Sequence, residues 1–128
     1  MAEAQKKILI VEDDKSLSRI IGEVLKKEGY DVSFAYDGEK GLAMALETAP
    51  DLMLLDIQLP RMDGKQLLEK LREQKNGSSI PVIVLSNMDD VETVSKMLEG
   101  NVKIYFVKAN LNLSDLIAQI KKMLPGTY

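Results

Sequence analysis

Three stretches of this chain, Ile8-Leu9-Ile10-Val11, Leu52-Met53-Leu54-Leu55 and Val82-Ile83-Val84-Leu85, are apolar at every position. A strand with one face in water alternates, so unbroken runs of this length fit strands covered on both faces by helices, as in a parallel sheet. They belong to a series of five runs, at 8–11, 32–35, 52–55, 80–85 and 102–107, with helical periodicity in the intervals. That alternation argues for successive βα units.

The second run alternates, with Tyr30, Val32, Phe34 and Tyr36 interleaved by Asp31, Ser33 and Ala35, and the fifth alternates weakly around Lys103. Both read as edge strands. Right-handed crossovers with these two at the edges give the order 2-1-3-4-5. The expected fold is therefore α/β, a doubly wound (βα)5 flavodoxin-like domain with a parallel five-stranded sheet. Strands fall at about 7–11, 31–35, 51–55, 80–86 and 102–107, in one domain over 1–128.

Helix punctuation agrees. Leu17, Ile20, Ile21, Val24 and Leu25 share a face, Lys26 and Lys27 suit a carboxyl end, and Gly29 can cap it. Asp37 and Pro50 bracket a second helix carrying Leu42, Ala45 and Leu46. Asp63 opens a third with Leu67, Leu68 and Leu71, and Asn76-Gly77 lies beyond it. Asn87 or Asp89 caps a fourth with Val91, Val94, Met97 and Leu98 before Gly100. A fifth carries Leu113, Leu116, Ile117, Ile120 and Leu124 before Pro125-Gly126.

Composition narrows the chemistry. The chain has no cysteine and no histidine, which removes disulfides, thiol catalysis, a Ser-His-Asp triad and His-ligated zinc. Any metal would be a hard, oxygen-preferring ion. Net charge is −3 without a basic tract, so no direct nucleic-acid contact is expected. No apolar stretch approaches the roughly 18 residues that span a membrane, and the start lacks a signal-peptide core, so a cytoplasmic location is expected.

In a parallel α/β sheet the site lies beyond the carboxyl ends of the strands. Glu12, Asp13 and Asp14 follow the first strand, Asp56 the third, Ser86 and Asn87 the fourth, and Lys108 the fifth. The expected order brings these groups to one rim. Crowded carboxylates cannot all stay ionised in contact unless a cation or shifted pKa values relieve their repulsion, and Mg2+, with Mn2+ as an alternative, suits oxygen donors. Asp56 can then serve as a nucleophile toward phosphorus, with Lys108 neutralising charge and Ser86 donating a hydrogen bond.

These motifs resemble the receiver domain of two-component response regulators along nearly the whole chain. Ile8-Leu9-Ile10-Val11-Glu12-Asp13-Asp14 is similar to the family's first strand and acidic pair. Leu54-Leu55-Asp56-Ile57-Gln58-Leu59-Pro60-Arg61-Met62-Asp63-Gly64 is similar to its phosphoacceptor motif. The resemblance implies Asp56 as phosphoacceptor and Mg2+ held by Glu12, Asp13, Asp56 and the Gln58 main-chain carbonyl. It implies Ser86 as hydroxyl switch, Tyr105 as aromatic switch and Lys108 as the family's lysine. Gln58 and Asn87 stand where water access to the phosphoryl group is set.

The implied function is a phosphorylation-activated signalling switch rather than an enzyme. Its donor would be a histidine kinase or histidine phosphotransfer protein. Its output would pass through the fourth helix, fifth strand and fifth helix to a partner not named by the sequence, as a monomer or a phosphorylation-dependent homodimer. One departure stands out: Ala109 follows Lys108 where the family usually has proline. A cis bond without proline costs about 2.5–4 kcal/mol, so this bond is expected to be trans.

Rival readings fit less well. An aspartyl-phosphate phosphohydrolase resembles a class that has a second Asp two residues on, where this chain has Gln58. A flavin carrier needs a phosphate-cradling loop where Glu12-Asp13-Asp14 would repel it. A non-phosphorylated pseudo-receiver would not need every motif residue. Asp14 and Asp63 read as helix caps, Gly64 as a residue permitting a tight turn, and the scattered methionines as core filling or surface.

Overall fold

A computed structural model describes residues 5–87, 91–99 and 101–125. Five parallel strands, β1 (Lys7–Val11), β2 (Asp31–Ala35), β3 (Leu52–Leu55), β4 (Val82–Ser86) and β5 (Val102–Val107), lie in the order β2-β1-β3-β4-β5. Between and after them run α1 (Lys15–Lys27), α2 (Gly38–Thr48), α3 (Gly64–Glu73), α4 (Val91–Glu99) and α5 (Leu113–Met123). This is the doubly wound flavodoxin-like order expected from the sequence.

The pleat sends alternate residues of the central strands into two cores. Leu9, Val11, Met53, Leu55, Val82 and Val84 pack with Leu67, Leu71 and Met97 on one face. Ile8, Ile10, Leu52, Leu54, Ile83 and Leu85 pack with Ile21, Leu25, Leu116 and Ile120 on the other. β4 starts at Val82 because Pro81 has no N–H for the ladder, although the Pro81 carbonyl still accepts from Met53 N at 2.9 Å.

Side-chain caps start α1, α2, α3 and α5. Asp14 accepts from Leu17 N, Asp37 from Lys40 N, and Asn112 from Ser114 N and Asp115 N. Asp63 forms a reciprocal capping box with Gln66. Past α1, Gly29 takes a φ of 98°, the left-handed conformation that suits glycine after a helix. The expected cap at Asp89 and the helix-ending glycines Gly100 and Gly126 lie outside the described residues.

Two expected core positions face water instead: Ile20 is 46% exposed and Leu98 is 47% exposed. On α1 the buried stripe runs through Ser18, Ile21, Gly22 and Leu25. The absent side chain at Gly22 lets the helix approach Phe34 of β2, and a Cβ there would sit 2.4 Å from the ring. The closest face is thus set by what is missing from the side chain, a signal that apolar periodicity does not carry.

Candidate functional site

Two adjacent strand ends deliver the first two carboxylates. Glu12 leaves β1 with its N–H bonded to Ala35 O at 3.0 Å, and Asp56 leaves β3 with its N–H bonded to Val11 O at 3.0 Å. Both side chains are buried, with Glu12 2% and Asp56 4% exposed. Glu12 Oε2 accepts from Asp14 N at 3.0 Å, and Asp56 Oδ1 accepts from Gln58 N at 3.2 Å. Asp13 lies exposed beside them, and acceptor atoms of Glu12, Asp13 and Asp56 come within 4.8 Å of one another.

Lys108 closes the other side. The chain turns into a short 3-10 segment, Lys108–Asn110, as β5 ends. From there Lys108 Nζ donates to Asp56 Oδ2 at 2.9 Å and forms an ion pair with Glu12 Oε1. The described residues contain no cis peptide bond, so the Lys108-Ala109 bond is trans. The lysine reaches both carboxylates from that trans backbone.

Burial pushes the Glu12 carboxyl up to about 7, and the charge of Asp56 adds to the rise against the opposing pull of Lys108 and Asp14 N–H. For Lys108 burial works the other way, lowering the pKa. Its hydrogen bonds to Glu12 and Asp56 outweigh burial, so the net shift is upward and the ammonium stays charged. One lysine therefore faces three carboxyl groups, and the excess negative charge suits a divalent cation. The donors are all hard oxygens, and an octahedral Mg2+ site at about 2.1 Å sets neighbouring ligand oxygens about 3–4 Å apart, within the span of this cluster.

The loop after Asp56 is held from below. Gly64 N donates to Ile57 O at 2.7 Å, and a Cβ at Gly64 would lie 2.5 Å from Asp56 O. Gly64 permits the tight turn through close backbone approach, and its φ is not positive. Gly38 N donates to Pro60 O at 3.2 Å, and Arg61, at a φ of 69°, places Nε 3.8 Å from Asp37 Oδ2. These ties went unread in the sequence. Only the Asp-Gly pairs at 37–38 and 63–64 hinted at them.

The remaining predicted residues line the same rim. Ser86 is fully buried and pairs in register with Val107, one position before Lys108. Asn87 and Gln58 are exposed. Tyr105 is half-buried on β5 and packs against the core on the α3 and α4 side. The structure thus gathers Glu12, Asp13, Asp56 and Lys108 into direct contact or near it. Ser86 stands at the next strand end and Tyr105 three residues before the lysine.

Residues 8–121 match the response regulator receiver domain family. The chain belongs to that family. Response regulator ArlR of Staphylococcus saprophyticus is 36% identical over 118 residues, covering 92% of this chain and 52% of that protein. The DNA-binding dual master transcriptional regulator RpaA of Synechocystis is 31% identical over 121 residues, covering 94% and 50%. This receiver domain spans about half the length of these curated relatives. Among solved structures, the receiver domain of sensor histidine kinase PA1611 from Pseudomonas aeruginosa superposes with a TM-score of 0.84 at 26% identity. The match covers 96% of this chain and all of that one, whose active-site cleft coordinates magnesium.

The receiver family is a signalling family of two-component systems, and this chain shares its fold. The expectation of no nucleic-acid contact rests on charge alone, and one relative of twice this length is a DNA-binding regulator. Among the described residues no helix is long and apolar enough to cross a membrane.

Proposed function

We propose that Asp56 accepts a phosphoryl group from a histidine kinase or histidine phosphotransfer protein and that the receiver domain switches between two states in response. The observation that carries this reading is the double contact of Lys108 with buried Asp56 and buried Glu12. It holds the nucleophile in one orientation and leaves a fixed positive charge beside it. A carboxylate oxygen of Asp56 attacks phosphorus as the phosphorus–nitrogen bond to the donor imidazole breaks, leaving an acyl phosphate on Asp56 and a free imidazole on the donor. Such transfers depend on positioning and charge stabilisation more than on covalent help from the protein.

Glu12, Asp13, Asp56 and the Gln58 carbonyl would hold Mg2+, with Mn2+ as a substitute, and the ion would neutralise charge on the transferring group. The chain's own residues do the rest. Lys108 exchanges a carboxylate partner for a phosphoryl oxygen, and Ser86 donates its hydroxyl to another. Gln58 and Asn87, exposed beside the group, set water access and hence its lifetime. The new charge is about −1.5 to −2, enough to draw Ser86 and Lys108 inward. Tyr105 then repacks, and α4, β5 and α5 present a changed face to an output partner. Coupling of this kind is typically worth about 1–3 kcal/mol.

Titration with beryllofluoride and magnesium, followed by amide NMR, tests the switch. The expected result is a saturating change at Asp56, Ser86, Tyr105 and Lys108 that is absent in Asp56→Ala. Changes confined to Glu12 and Asp13, or identical in the variant, contradict it.

A further inference from the structure

On the side of α1 that faces β2, away from Lys108, lies a groove of about 320 Å3 lined by Lys15, Arg19, Glu23, Lys26, Phe34 and Tyr36. The four helix residues are spaced four, four and three apart, so they form one stripe along α1. Phe34 and Tyr36 point to the same face of the strand end, and their rings stack with centroids 6.5 Å apart and planes 6° from parallel. Lys15 Nζ stands 5.0 Å from the Tyr36 ring centre and Lys26 Nζ 5.4 Å from that of Phe34. Gly22 makes the arrangement possible, because any side chain there would collide with Phe34.

Three exposed cations thus surround two rings, in a chain whose net charge is −3. Among the described residues none of the three forms an ion pair with a carboxylate. The ion pairs among the described residues engage Arg61, Lys96, Lys108 and Lys121 instead. Glu23, within reach of Arg19 along the helix, leaves it unpaired. Two of the cations lie over ring faces and remain exposed to solvent. Tyr36, 40% exposed, adds apolar surface at one end.

We propose that this groove docks a short acidic segment of a partner protein, its carboxylates meeting Lys15, Arg19 and Lys26 and an apolar side chain resting on Tyr36. From Lys15 to Lys26 the helix spans about 16 Å, which matches about five residues of extended chain. Charge complementarity selects the occupant. Single-stranded nucleic acid is disfavoured because the lysines already cover ring faces that bases would stack on. Nothing in this proposal requires Asp56 to be phosphorylated.

The test uses the full chain and a fluorescein-labelled Glu-Asp-Phe-Glu-Glu peptide, read by fluorescence anisotropy without magnesium or phosphodonor. Saturable binding that weakens with added salt is expected, reduced about tenfold in Arg19→Glu/Lys26→Glu. Amide NMR shifts should centre on α1 and β2. Arg19→Gln/Lys26→Gln serves if charge reversal disturbs folding, and both variants keep the wild-type beryllofluoride response, which separates this claim from the phosphoacceptor reading. Absent binding, undiminished binding in both variants, shifts centred elsewhere, or tighter binding of a labelled oligothymidylate would each overturn the proposal.

Discussion

At the residue scale the site is a problem in charge. Glu12 is nearly inaccessible, with a carboxyl raised from 4.5 to about 7 by burial and then by Asp56. Between those values the folded chain holds a proton that the unfolded chain releases. Stability from this group is therefore complete below about 4.5 and lost as pH rises through 7. Urea unfolding of the metal-free protein should show stability falling across that window, and Glu12→Gln should flatten the dependence. Mg2+ competes for the same oxygen, so its affinity should climb over the same range. Lys108→Met removes the one cation that both carboxylates share. It should cost about 1–3 kcal/mol at pH 8 in the presence of chelator, and less at pH 5 where Glu12 carries a proton. Denaturant titrations at the two pH values check it.

At the element scale the helix starts and the glycines beneath the loop decide how firmly Asp56 is held. Gly64→Ala would drive a Cβ to 2.5 Å from Asp56 O and 2.7 Å from Ile57 Cα, both backbone atoms that cannot rotate away. We expect a loss of about 1–3 kcal/mol together with a weaker beryllofluoride response, because the strand end itself must move. Asp63→Ala removes only the capping box, and should cost about 1 kcal/mol while sparing the response. Comparing the two separates helix stability from site geometry. The strands and helices were legible because the runs at 8–11, 52–55 and 82–85 had no polar interruption and Asp14, Asp37 and Asp63 stood where caps belong. The face of α1 was legible through Leu17, Ile21 and Leu25 but not at its edge, where Ile20 turns to water and Gly22 makes the close approach. That approach depends on Gly22 fitting Phe34, a contact between elements that periodicity along one element cannot express, and on α4 the buried positions are Thr93 and Met97 rather than Leu98.

At the scale of the whole molecule, the sheet order does the assembling. Residues 12, 56, 86 and 108 are remote in sequence, yet parallel pairing of β1, β3, β4 and β5 puts all four at one rim. That much followed from the strand order, so the candidate site was legible in the sequence. The pairing of Lys108 with Glu12 as well as Asp56 was not, since side-chain reach across two strands leaves no mark in the sequence. The groove between α1 and β2 escaped for a similar reason: Lys15, Arg19 and Lys26 look like an ordinary solvated face until Phe34 and Tyr36 are seen beneath them. The family places this chain among two-component signalling domains, and the charge balance at the rim supports phosphoryl acceptance at Asp56. Intact-protein and peptide mass spectrometry after incubation with magnesium and acetyl phosphate tests that claim most directly. One phosphoryl group should appear on Asp56, and it should be absent in Asp56→Ala and in the presence of chelator. An unmodified wild-type chain, or equal modification of Asp56→Ala, contradicts it.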